Sequence, residues 1–124
     1  MRRAIRKHLM DHCQSVQAWY QPYVADADAE KPYGVISFLG DAPALGSAAG
    51  AFEEVRIWLY TQPGKFTGLD EMVQEVKDLL DGVLLETADS RRFRPEWVQT
   101  GRDFYDDDLR ANAKDITFRI PKLR

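Results

Sequence analysis

Two histidines and a cysteine are the residues of this sequence best suited to bind a metal. His8 and His12 stand four residues apart near the start of the chain, with Asp11 and Cys13 beside them. On a helix this spacing places two imidazoles on one face, where they can share a metal ion. The metalloprotease pattern needs a glutamate directly after the first histidine, and Leu9 stands there. Because the chain has no third histidine, we expect no catalytic zinc site and keep His8 and His12 only as weak metal candidates.

The densest acidic cluster lies near the C-terminal end of the chain and contains Asp103, Asp106, Asp107 and Asp108. Carboxylates can bind calcium, but the cluster lacks the mid-loop glycine and terminal glutamate of an EF-hand loop. No serine stands in a nucleophile-elbow pattern, and the glycines form neither a phosphate-binding loop nor a dinucleotide-binding fingerprint. We therefore expect a solvated hairpin tip at this cluster, no enzyme activity and no cofactor.

Length and charge limit the class of protein. The 124 residues suffice for one domain, so we expect a single domain over residues 1–124. The net charge of −3 argues against a general nucleic-acid-binding protein. The single cysteine allows no internal disulfide, as is typical of a reducing compartment. Polar residues interrupt the apolar run after the basic start, and no stretch has the length of a membrane span, so we expect a soluble protein made in the cytoplasm.

Apolar spacing predicts two amphipathic helices. The first covers residues 2–16, where Ile5, Leu9 and Val16 recur at helical intervals. The second covers residues 68–81 and has the strongest helical signal in the sequence, with apolar side chains at Leu69, Met72, Val73, Val76, Leu79 and Leu80. Gly82 is placed to end this second helix.

The remaining apolar segments predict strands. We expect them at residues 16–24, 35–39, 52–61, 97–104 and 115–120, with loops or turns at 25–31, 42–50 and 106–113. The last two strands should pair as a hairpin. The order of elements predicts an α+β fold, with a mostly antiparallel sheet of four to six strands and two helices packed on one face.

Four aromatic residues are candidates for a protein interface. Trp58 and Tyr60 alternate with the apolar residues of segment 52–61, so they should lie on the sheet face opposite the helices. Trp19 and Trp97 stand in neighbouring predicted strands, and with the two helices on one sheet face we expect them on the other, outward face. Large aromatics on an outward face are enriched at protein–protein contacts. The alternative is a second small core beneath the loops.

Charged residues are separated along the chain. Arg2, Arg3, Arg6 and Lys7 are basic, as is the loop that contains Arg91 and Arg92, whereas Asp106, Asp107 and Asp108 are acidic. A head-to-tail ring brings unlike surfaces of neighbouring copies together, so separate basic and acidic patches suit such an assembly. We therefore include Arg91, Arg92, Asp106, Asp107 and Asp108 among the interface candidates.

The layout of these segments resembles a known family. A leading amphipathic helix is followed by the apolar segment Pro-Tyr-Gly-Val-Ile-Ser-Phe at 32–38, a long loop and Glu-Val-Arg-Ile-Trp-Leu-Tyr at 54–60. A second helix ends near Leu-Leu-Asp-Gly at 79–82, and Ile-Thr-Phe-Arg-Ile at 116–120 closes the sheet. This arrangement, over nearly the whole chain, resembles the tail-completion or tail-terminator proteins of long-tailed phages and prophages.

The resemblance implies a structural role without catalytic residues. Members of the family form a ring, typically six-fold, that stops tail-tube polymerisation and presents the surface to which the filled head docks. The implied partners are other copies of the chain, the tail-tube protein and the head-connector protein, with DNA only as passing cargo and no membrane. The implied location is the host cytoplasm during assembly and then the virion tail. In such a ring, Asp106, Asp107 and Asp108 could line a channel and repel DNA.

Two other functions remain open from the sequence. The chain could be a stand-alone module that binds a small molecule or a host protein. It could also be a metal-dependent enzyme that uses His8 and His12.

Overall fold

The computed structural model describes residues 2–16, 18–20, 32–43, 51–62, 66–107 and 111–121. These contain the helices α1 (Arg2–His12) and α2 (Phe66–Leu80). The strands are β1 (Ala18–Tyr20), β2 (Tyr33–Pro43), β3 (Ala51–Thr61), β4 (Leu85–Glu86), β5 (Arg92–Phe93), β6 (Glu96–Thr100), β7 (Phe104–Asp106) and β8 (Ala111–Pro121). Neither described helix has the length and apolar character needed to cross a membrane.

Six of the described strands form one mainly antiparallel sheet. Its order is β1-β2-β3-β8-β6, and β7 also pairs with β8, beyond the end of β6. Only β1 and β2 run parallel among these pairs. β4 and β5 form a separate small hairpin. Residues of both helices share one buried cluster with residues of one face of the sheet. The predicted α+β class, with both helices on one face, is therefore confirmed.

The helix α2 forms where its apolar spacing predicts it. Leu69, Val76 and Leu80 are fully buried against the sheet, while the opposite side of the helix is charged. Burying each such side chain contributes about 2 kcal/mol. The helix ends before Gly82, whose φ of 72° is the left-handed conformation that glycine adopts without strain.

The helix α1 ends at His12, four residues earlier than predicted. The backbone N–H of Cys13 still donates to Leu9 in the helical pattern. The next two N–H groups, of Gln14 and Ser15, donate instead to the carboxylate of Glu75 on α2, at 3.1 Å each. The helix stops because the carboxylate of Glu75 replaces the carbonyls of Met10 and Asp11, which would accept these two N–H groups in a continued helix.

The two faces of β3 differ as the alternation predicts. Val55, Ile57 and Leu59 are fully buried beneath the helices. The opposite face of the sheet carries a second buried cluster that includes Tyr33 and Tyr60. The predicted strand at 52–61 is thus confirmed, with β3 beginning at Ala51.

Several predicted boundaries were wrong. The turn predicted at 106–113 is narrower, because β7 reaches Asp106 and β8 begins at Ala111. The strand predicted at 97–104 is two strands, separated where the N–H of Gly101 donates to the carbonyl of Asp115. β2 continues past Gly40 to Pro43 through a β-bulge. β1 covers only Ala18–Tyr20 of the predicted strand 16–24, whose residues 17 and 21–24 lie outside the described residues, as do the predicted loop 25–31 and residues 44–50.

Candidate protein-protein interface

The two histidines link the helices to each other. The Nε2 of His8 lies 3.0 Å from the carbonyl oxygen of Leu79 on α2, and because a carbonyl only accepts, this nitrogen carries the proton. The rings of His8 and His12 are 4.7 Å apart between centroids. No group of three potential metal ligands occurs within the described residues. A metal bound at Nε2 of His8 would have to displace the hydrogen bond to α2.

The thiol of Cys13 belongs to a hydrogen-bond network around one carboxylate. It donates to Glu75 at 3.2 Å, and the hydroxyl of Ser15 donates to the same oxygen. Burial, followed by the hydrogen bond to Glu75 and its charge, raises the pKa of Cys13 to about 11. A nucleophilic cysteine needs a lowered pKa, so this thiol is suited to packing and not to nucleophilic catalysis.

A shallow, open concavity lies beside this network. The described residues that line it are Gln14, Ser15, Glu71, Gln74, Glu75, Asp78 and Leu79. None of them is cationic, and the carboxylate of Glu75 is already engaged by the turn after α1.

Trp19 lies on the face opposite to the one predicted. In the parallel pairing of β1 with β2 it stands beside Gly34, and its ring covers that glycine on the helix side of the sheet. It is 97% buried in the cluster that both helices share, since its exposed fraction is 3%. The absence of a side chain at Gly34 makes room for the indole. The prediction that Trp19 faces outward was therefore wrong.

The aromatic residues of the other face form a second small core. Tyr60 stacks on Tyr33 with ring centroids 4.9 Å apart, and Tyr20 meets Tyr33 edge-on. Trp58 is half-buried and meets the ring of Phe104 edge-on at 5.6 Å. Tyr60 keeps only 7% of its surface exposed. Tyr60 therefore belongs to a second small core, which was the alternative to an interface. Trp58 lies on the predicted face and remains partly accessible.

The other half of this sheet face is charged. The Nε of Arg56 lies 3.5 Å from the Oδ2 of Asp115 on the neighbouring strand. The Nε of Arg119 lies 2.8 Å from the Oε2 of Glu96 across the β8–β6 pair. The pair of Arg119 and Glu96 is about half exposed, and ion pairs on an accessible surface contribute little net stability.

Trp97 is accessible, but it lies on the helix side of the sheet. It pairs with Phe118, and the ammonium of Lys77 on α2 lies 3.9 Å from the centre of its ring. Its indole N–H donates to the hydroxyl of Thr100. The exposed fraction of Trp97 is 40%. The predicted exposure of Trp97 is confirmed. The predicted outward face is wrong, because pairing with Phe118 on β8 turns Trp97 to the helix side of the sheet.

Two further apolar side chains accompany Trp97 at the sheet edge. Val98 occupies the register shift between Trp97 and Gln99 and is 43% exposed, and Tyr105 on β7 is 47% exposed. Asp103 and Asp107 are exposed on the same segment. We call Trp97, Val98, Asp103, Tyr105 and Asp107 the β6–β7 edge. Sequence reasoning missed Val98 and Tyr105, since only the strand order shows that this segment lies at an edge.

The charged interface candidates occupy two different places. Arg91 pairs with Asp89 at 3.1 Å beside the β4–β5 hairpin, and Arg92 is exposed on β5. Asp106 is half-buried at the end of β7, and Asp107 follows it in the turn. Asp108 lies outside the described residues.

Comparison with known proteins gives no match at the level of sequence families, since no family model and no curated protein matches the chain. Solved structures do match. A chain of the virion of a native gene transfer agent particle superposes with a TM-score of 0.68 at 15% identity, over 98% of this chain and 92% of its own length. The two chains share a fold. A second solved structure has a TM-score of 0.67 at 11% identity, over 99% of this chain and 94% of the other.

Proposed function

We propose that this protein is a structural subunit of a phage-type tail, which closes the end of the tail tube and contributes to head–tail joining. The likeness in fold, from end to end, to a chain of a gene transfer agent virion carries this proposal. The layout of helices and strands that resembles tail-terminator proteins points to the tail in particular. Copies of the chain would form a ring, six-fold on the tail, that touches the tail-tube protein on one side and the head-connector protein on the other.

The distribution of accessible residues supports an assembly role. Trp97, Val98 and Tyr105 leave a large part of their apolar surface in solvent on one edge of the sheet. Aromatic residues at an accessible edge are typical of protein contacts. In contrast, the thiol of Cys13 and the imidazole of His8 are engaged in contacts that hold the two helices together.

Tube polymerisation in the presence of the protein tests the proposal. Tail-tube protein from the same phage or prophage would be polymerised with and without this chain, and tube lengths and tube ends would be measured by electron microscopy. We expect shorter tubes and extra density at one end only. A gold-labelled tag on the chain identifies that density.

Two other outcomes would contradict the proposal. Tubes of unchanged length without label at their ends would remove the capping role. Label distributed evenly along the tubes would indicate a binding protein of the tube wall. A monomer in dilute solution does not decide the question, because a ring subunit can close only on its template.

A further inference from the structure

The two helices divide the sheet between them, which gives the subunit two opposite lateral sides. Within the six-stranded sheet, α1 contacts β1 and β2, whereas α2 contacts β3, β8 and β6. α1 also contacts β4 of the small hairpin. Because the sheet runs in order from β1 to β6, α1 lies over one end of it and α2 over the other. The flank of α1 that faces away from α2 and the β6–β7 edge are therefore on opposite sides of the molecule.

The flank of α1 away from α2 is basic and carries one exposed apolar residue. His8 marks the side of α1 that meets α2, since it donates to a carbonyl of that helix. Arg6 marks the other side, since its Nε donates to a carbonyl of β1 at 3.1 Å. Arg3 and Met10 are three and four residues from Arg6 and so share its face. Both are exposed, Met10 by 55%. We call Arg3, Arg6 and Met10 the basic flank.

The charges of the two sides are opposite. The helix Arg2–His12 contains four arginine or lysine residues and one aspartate, whereas segment 96–107 contains four carboxylates and one arginine. The formal charges of these two segments are therefore +3 and −3 with histidines neutral. Within segment 96–107, Glu96 pairs with Arg119 and Asp103 pairs with Lys114, both on β8, so Asp107 is the carboxylate assigned to the contact. Within the described residues, neither Arg3 nor Asp107 makes an ion pair, so each is available to a neighbour. Four of the five exposed large apolar residues described lie on these two sides, and Leu84 is the fifth.

We propose that the basic flank of one copy docks against the β6–β7 edge of the next copy. In this contact Met10 would pack against the apolar residues of the edge, and Arg3 would meet the carboxylate of Asp107. A contact between unlike surfaces on opposite sides repeats from copy to copy, and it closes into a ring when the rotation allows. This inference rests on the proposed ring-forming function. It places Asp107 between copies and not in a central channel.

Charge reversal on each side, alone and together, tests this contact. The variants are Arg3→Glu, Asp107→Lys and the double variant, which restores the original net charge. Arg92→Glu and Glu71→Lys are matched controls, because Arg92 and Glu71 are exposed and belong to neither surface. Arg92→Glu changes the net charge by the same amount as Arg3→Glu, and Glu71→Lys by the same amount as Asp107→Lys. Sedimentation velocity at low ionic strength, over a series of protein concentrations, measures self-association. Far-ultraviolet circular dichroism confirms that every variant is folded.

We expect the natural chain to self-associate, and added salt to weaken the association because it screens the opposed charges. Each single reversal should weaken association by about ten-fold, the double variant should recover most of it, and the controls should leave it unchanged. The proposal is overturned by a chain that stays monomeric at the highest attainable concentration and low salt. It is also overturned by single reversals that act no more strongly than the controls, or by a double variant as weak as the single ones.

The experiments can refute the proposed contact without refuting the proposed capping role, and the reverse. If the chain caps tubes while the reversals leave both capping and self-association unchanged, this contact is wrong and the capping role stands. If the chain self-associates through these two surfaces but never reaches a tube end, the capping role is wrong and the contact stands.

Discussion

The Sγ of Cys13 lies 3.2 Å from the Oε1 of Glu75, so a single carboxylate on α2 holds the turn that follows α1. The same carboxylate accepts the backbone N–H groups of Gln14 and Ser15. Further along the same helix pair, His8 donates to the carbonyl of Leu79. These contacts fix α1 against α2 and therefore fix the direction in which the basic flank points.

The thiol of Cys13 should react very slowly in the folded protein. Burial and the neighbouring Glu75 raise its pKa to about 11, so about one thiol in a thousand is ionised at pH 8. Labelling with Ellman's reagent at pH 8 should be slow in buffer and fast in guanidinium chloride. Rapid and complete labelling of the folded chain would contradict the buried network around Glu75.

The stability of the protein should depend on the ionisation of Glu75. Burial acts to raise its pKa, but hydrogen bonds from Ser15, Gln14 and Cys13 outweigh burial and lower the pKa to about 2. Because this folded-state value lies below the unfolded value of about 4.3, the stabilisation is present above that pH. It is lost as the pH falls from there towards 2. Urea unfolding between pH 7 and pH 2.5 measures the effect.

Replacement of Glu75 separates its contribution from that of the other carboxylates. Glu75→Gln should lower the free energy of unfolding at pH 7 by about 2 kcal/mol, because the amide accepts the same N–H groups without a charge. The variant should also show a smaller loss of stability below pH 4.5 than the natural chain. Glu71→Gln is the control, since Glu71 is exposed on the same helix and should change little. Equal effects of the two replacements would count against the network.

Two glycine-to-alanine changes should have opposite effects. A Cβ at Gly34 would overlap the ring of Trp19, so Gly34→Ala should cost about 2 kcal/mol or more of stability. A Cβ at Gly68 on α2 meets nothing within 4 Å, so Gly68→Ala should stabilise by about 0.5–1 kcal/mol. Thermal unfolding measures both. If Trp19→Leu fails to reduce the cost of Gly34→Ala in a double-mutant cycle, the assigned cause is wrong.

A basic residue at the sheet edge should affect association and not stability, because the basic flank of the next copy would repel it. Val98 and Leu84 are similarly exposed, at 43% and 48%, but only Val98 belongs to the β6–β7 edge. Val98→Lys and Leu84→Lys should each change the free energy of unfolding by less than about 0.5 kcal/mol. Only Val98→Lys should weaken self-association measured by sedimentation. Equal association of the two variants would place the contact elsewhere.

Local patterns predicted the elements whose apolar residues are large and regularly spaced. The spacing from Leu69 to Leu80 predicted α2, and the alternation at Val55, Ile57 and Leu59 predicted β3 and its buried face. The start of β8 was missed because Ala111 and Ala113, buried on the aromatic face, are too small to give a strong apolar signal. The short hairpin of β4 and β5 gives no periodic signal at all.

The sheet face on which each tryptophan lies depends on strand pairing between segments distant in sequence, which local patterns do not predict. Trp19 faces the helices because β1 pairs in parallel with β2 and meets Gly34, a partner distant in sequence. Trp97 faces the helices because it pairs with Phe118. Aromatic and charged residues were therefore predicted as interface candidates, but Trp19 and Trp97 were assigned to the wrong face of the sheet. Charge separation along the chain was visible, but its arrangement on opposite sides follows from the strand order.

The position of the protein in a purified particle tests the structural role most directly. Phage-type particles would be purified from cells that carry the gene for this chain, labelled with an antibody against it and imaged by electron microscopy. We expect the label at the junction of head and tail, at one place per particle. Particles that contain none of the chain, or that carry it along the whole tail, would contradict a subunit that caps the tube.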